Sequence, residues 1–103
     1  MPAPALPSFE EFRQALLDEG FDEVLVRPWD ADTVVPMHTH PFEAKALVVQ
    51  GEMWLSVEDG PPEHLRPGDR FHLQPEVPHA ERYGHDGAVY WVGRRAAPPP
   101  PGA

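Results

Sequence analysis

The chain has 103 residues, room for one compact domain with one core. It contains no cysteine, which excludes a disulfide framework, thiolate zinc sites, iron–sulfur ligation and a cysteine nucleophile; any metal must bind through His, Asp or Glu. A formal net charge of -9, with scattered arginines and no long apolar run, argues against nucleic acid and membrane as partners, and a cytoplasmic protein is expected.

Taken in chain order, the first structural signal is Ser8 followed three residues later by Glu11, a capping box. Phe9, Phe12 and Leu16 recur at helical spacing until Gly20 closes the segment, so residues 8–19 read as a short amphipathic helix and residues 1–21 as an N-terminal extension. From Asp22 the pattern changes to alternation broken by Pro, Gly and Asp. The spacing predicts strands over 23–29, 33–38, 44–50, 52–57, 64–65, 70–73, 80–83 and 88–94. Turns are expected at Gln50-Gly51-Glu52, at Glu58 to Pro62, at Arg66 to Asp69 and at Gly84 to Gly87. Short antiparallel strands at this spacing indicate an all-β sandwich or barrel over residues 22–95, the jelly roll among them. The Pro-rich end, 96–103, suits neither sheet nor helix and reads as a disordered tail.

Two stretches carry chemistry. In "HTHPFE", His38 and His40 stand two apart, so on a strand both rings enter one space, which is chelating geometry. Phe42 shares their parity and belongs to the same wall. The second stretch, "PGDRFHLQPEVPH", ends in His79, a third imidazole able to complete a facial triad. Glu81 follows at the same parity and is placed to ligate, to hold a ligand ring or to act as a base. His72 alternates with Phe71 and Leu73 and is expected to face outward, while His64 and His85 lie near turns and are expected in solvent. Trp54, Tyr90 and Trp91 are strand aromatics of the kind that fill cores and interfaces.

These two stretches together resemble the motifs of the small single-domain cupins. The first motif is matched by His38, His40 and Gly51 in "HTHPFEAKALVVQG", the second by Gly68 and His79, and the likeness runs over roughly residues 22–94. The resemblance implies a double-stranded β-helix, a jelly-roll barrel preceded here by one short helix, with a divalent metal held by His38, His40 and His79. Iron or zinc is the first expectation, with nickel, manganese or copper also compatible with imidazole donors. The chain departs from the motifs in places. The family glutamate belongs seven residues before the turn glycine, where this chain has Ala44. Glu43 is next door but on the opposite face by alternation, unless Pro41 produces a bulge, and it is the weaker candidate ligand. Gln74 replaces a proline, Glu76 a glycine, and Tyr83 stands where an asparagine is usual.

For function, the resemblance implies either a small metal-dependent enzyme or a binding module. As an enzyme it would be dioxygenase-like or an isomerase, acting on a small anionic or enolisable chelator, with Phe42 and Ala44 on the pocket wall and Glu81 as the candidate catalytic group. As a sensor-like module it would bind a small molecule without turnover. A homodimer is expected in either case, because short jelly rolls expose edges that pairing protects.

Overall fold

A computed structural model describes residues 5–97, so most of the expected tail over 96–103 lies outside the described residues. The capping box forms as the sequence predicts. Ser8 accepts from the Glu11 amide at 3.1 Å, the Glu11 carboxylate returns to the Ser8 amide at 2.9 Å, and helix α1 (Phe9–Asp18) follows. Gly20 closes it at φ +100. The buried face of α1, Phe12 and Leu16, meets Phe21, Leu47 and Trp91, with the Trp91 ring 5.3 Å from that of Phe9. Burying each of those two side chains is worth about 1.5–3 kcal/mol, so α1 is clamped to the outside of the sheet.

The strands are β1 (Glu23–Trp29), β2 (Val34–His38), β3 (Phe42–Val57), β4 (Glu63–Leu65), β5 (Arg70–Leu73) and β6 (His79–Ala96). Two of these correct the sequence reading. The expected turns at Gly51 and at Gly84 to Gly87 are bulges inside continuous strands, so 44–50 joins 52–57, and 80–83 joins 88–94. Gly51 at φ +73 and Gly87 at φ +72 adopt the backbone that bulges need, and a Cβ on Gly51 would collide with the Gly87 carbonyl. The chain therefore bends without leaving the ladder. Strand β6 also runs to Ala96, two residues further than expected, and the Ala96 amide donates to Asp22 at 2.9 Å.

The two long strands pair from Phe42 with Ala96 to Val57 with His79. Bent at the bulges, they run through both halves of the fold. In one half β1 flanks β6 and β5 flanks β3; in the other β2 flanks β6 and β4 flanks β3, all antiparallel. The core joins both halves: Ala44, Ala46 and Val48 pack with Met53, Leu55, Leu65 and Tyr83, and Trp29 stacks on Tyr83 at 4.7 Å. This is a double-stranded β-helix. Among the described residues no helix is long and apolar enough to cross a membrane.

The loop from β5 to β6 is tied to the segment before β3, because the Glu76 amide donates to the His40 carbonyl at 2.8 Å. Glu76 makes that bond at φ +66, the position where the resembling motif carries glycine. Glu76→Gly keeps the backbone bond and removes the left-handed strain, so it should raise stability by about 1 kcal/mol, read as a higher urea midpoint. A lower midpoint would mean that the Glu76 side chain itself holds the loop.

Candidate metal centre

Register brings the site together. His38 at the end of β2 pairs across from His79 at the start of β6, and Val35 pairs with Glu81. Along β6 the side chains of His79, Glu81 and Tyr83 alternate inward, and all three residues are buried. His40 enters from the three-residue link between β2 and β3. Ring centroids lie 4.2 Å apart for His38 and His79, 4.8 Å for His40 and His79, and 6.1 Å for His38 and His40.

Each imidazole is oriented by the backbone. The Nδ1 of His38 bonds the Pro36 carbonyl at 2.8 Å, that of His79 the Val77 carbonyl at 2.9 Å, and that of His40 the Phe42 carbonyl at 3.1 Å. A carbonyl can only accept, so Nδ1 is the donor, and in the neutral form of each ring Nε2 keeps its lone pair. Three rings held in one tautomer with bare Nε2 atoms are the form that binds a metal. Burial, ahead of the nearby imidazoles, lowers the basicity of His40 and favours that neutral form, although its bond to Phe42 works the other way. The His40 ring is also stacked on Phe42 at 4.0 Å, nearly parallel.

Glu81 supplies the carboxylate. Its Oε1 accepts from the Tyr83 hydroxyl at 2.6 Å and is 3.5 Å from that of Tyr90, while Oε2 lies 3.8 Å from His38 Nε2. The donor atoms of His38, His79 and Glu81 all lie within 4.8 Å of one another. Burial, ahead of the neighbouring Tyr90 and Glu81, pushes the Tyr83 hydroxyl far above its ordinary range, so it remains a donor to Glu81. Among the described residues no Arg or Lys pairs with this buried carboxylate, and its nearest partners are the Tyr83 hydroxyl and the His38 imidazole. A carboxylate so placed is costly unless a cation joins it. The converging donors, two nitrogens and one oxygen, fit a divalent transition metal, while the expected third ligand, His40, stands beside them with its ring 4.8 Å from that of His79 and outside the converging group.

Glu43 takes no part in this group. Simple alternation holds at β3 and its carboxylate points outward, where it accepts from Arg95 at 2.8 and 3.0 Å and pairs with His72. Burial alone would raise its pKa, but the hydrogen bonds and charges of His72 and Arg95 hold it below the ordinary value. His72 is thus on the outer face, as its alternation with Phe71 and Leu73 predicts. Exposed His85 also lies as expected, whereas His64 departs: its ring is stacked flat on Trp54 at 4.5 Å, with Arg82 4.0 Å from the Trp54 ring. Phe42 and Ala44 line the cavity over the histidines, which has a volume of about 120 Å³. Its other walls include Arg27, Val35, Phe71, Tyr90 and Arg94. The sequence reading missed the two arginines, although Arg27 shares the parity of Leu25 and Trp29.

Residues 29–92 match the family described as Cupin domain, which is more than half of the chain. No curated protein matches significantly. Among solved structures, the DMSP lyase DddQ from Ruegeria pomeroyi DSS-3 is 30% identical with a TM-score of 0.66, over 72% of this chain and 38% of that one. An RmlC-like cupin from Shewanella frigidimarina NCIMB 400 is 27% identical with a TM-score of 0.58, over 71% of this chain and 67% of that one. KdgF from Halomonas sp., at 22% identity and a TM-score of 0.61, shares the fold over 73% of this chain and 70% of its own. This chain thus spans well under half of the DMSP lyase and about two thirds of the smaller cupins.

Proposed function

The chain belongs to the cupin family, and from that premise we propose that it is a small metal-dependent enzyme acting on a small anionic chelating substrate. Its one divalent metal, iron or zinc first, would be held by His38, His40, His79 and Glu81. The observation that carries this reading is the buried Glu81 carboxylate, unpaired by Arg or Lys and with its Oε2 3.8 Å from His38 Nε2. When bound, the metal supplies Lewis acidity, or redox chemistry if it is iron, to an oxygen of the substrate.

The protein's own groups do the rest. The backbone carbonyls of Pro36, Val77 and Phe42 fix the three ring tautomers before any ligand arrives. Tyr83 keeps one oxygen of Glu81 occupied, so the other is presented to the site. Phe42, Phe71, Val35 and Val92 form an apolar wall that limits water and strengthens every charge inside. Likeness to a DMSP lyase over most of this chain supports lyase chemistry, and the isomerase and dioxygenase-like readings use the same ligands.

Metal analysis of untagged protein tests the reading, with about one equivalent of transition metal per chain as the expected result. Elimination or isomerisation by the loaded protein on a panel of small carboxylates, against oxygen consumption on the same panel, then separates the enzyme classes. Tight binding without turnover would favour a sensor-like module, and protein that neither retains nor takes up metal would overturn the reading.

A further inference from the structure

Arg27 has no evident structural task. It sits on β1 between Leu25 and Trp29, whose side chains pack into the core, and its register partner is Tyr90. Its side chain therefore belongs to the inner face, yet the residue is exposed and lines the cavity above the histidines, which places it at the mouth. Among the described residues its guanidinium meets the Trp29 ring at 5.1 Å and no carboxylate. The other arginine at the cavity differs: Arg94 gives Nε and a terminal nitrogen to Glu23 at 2.9 and 2.7 Å and lies 4.9 Å from the Phe42 ring. Glu23 neutralises Arg94. Arg27 is the cation left over.

The charges inside the cavity make the same point. Glu81 is the one carboxylate among its lining residues, and a divalent metal more than offsets it, so the loaded cavity carries excess positive charge beside an unpaired guanidinium. This occurs in a chain whose overall charge is -9. An arginine with a free planar fork next to an apolar wall suits a carboxylate, which it can grip through two parallel hydrogen bonds. A cavity of about 120 Å³ admits only a few heavy atoms.

We propose that Arg27 is a specificity residue that binds the carboxylate of a small substrate at the cavity mouth, while the substrate's other oxygen donor reaches toward the histidines. This deepens the metal-enzyme reading and rests on it for the second contact only. The substrate class is then a short carboxylic acid carrying a second oxygen function a few bonds away.

Calorimetric titration of zinc-loaded and metal-free protein with succinate, and with its uncharged diamide, tests the proposal. Succinate should bind the zinc-loaded protein and the diamide should not. Arg27→Gln should weaken succinate at least tenfold with zinc content unchanged, Arg27→Lys less so, and the control Arg70→Gln, which alters charge away from the cavity, should have no effect. Equal succinate affinity in Arg27→Gln and the parent would overturn it. Should the protein bind no zinc, the metal reading fails separately; succinate binding to the metal-free protein that Arg27→Gln still weakens supports the Arg27 site, and its absence overturns that site too.

Discussion

His79→Ala is expected to strip metal from the protein, by a hundredfold or more in affinity, whereas His72→Ala leaves metal content at the parent level. The first substitution removes the ring that stands nearest to both other imidazoles, 4.2 Å from His38 and 4.8 Å from His40. Groups that only orient a ligand already cost roughly 10–100-fold when lost, so loss of the ligand itself must cost more. The second removes a ring on the opposite face of the sheet, bonded to Glu43 rather than to the cavity. Its effect should be confined to stability, since Glu43 keeps its two bonds from Arg95. Metal analysis after dialysis, together with zinc titration of the stripped proteins, checks both outcomes. Equal metal in the two variants would remove His79 from the ligand set.

Much of the fold was legible because local and global signals agree. The capping box, the apolar stripe of α1 and the bounds of β1 and β5 all follow from short-range rules. What misled was glycine. A glycine at positive φ inside a run of alternating residues is consistent with a turn or a bulge, and only the partner strand decides between them. Here β3 and β6 support each other through both bulges, so two pairs of apparent strands are single bent ones. Within the site, parity alone placed Phe42 and Ala44 on the inner wall and Glu43 on the outer. It could not choose between ligand and support for Glu81, because that depends on which neighbour occupies its other oxygen. The Tyr83 hydroxyl occupies it, and Tyr83 is itself one of the chain's departures from the resembling motif. In the proposed metal site, the alanine at 44 and the tyrosine at 83 would be two sides of one relocation of the carboxylate from β3 to β6.

That relocation predicts a loss and a rescue. Glu81→Gln retains an oxygen that can accept from Tyr83 but removes the charge, so packing should persist while metal affinity falls about a hundredfold. In the metal-free state the same change relieves a buried carboxylate that no Arg or Lys neutralises, so thermal stability should stay level or rise. A simple folding defect would lower both together, which makes the pair of measurements diagnostic. Adding Ala44→Glu to Glu81→Gln should then restore metal binding. Ala44 is buried on β3 and lines the same cavity, so a carboxylate there extends into the space over the histidines rather than into packed core. In the parent background Ala44→Glu should do the opposite for function, because a second carboxylate lowers the positive charge that draws an anionic substrate and fills part of a cavity of only about 120 Å³. Zinc titrations of the parent, both single variants and the double variant decide the matter. Undiminished metal in Glu81→Gln would show that three imidazoles suffice, and loss without rescue would keep Glu81 as ligand while showing that the backbone at 44 no longer aims at the metal.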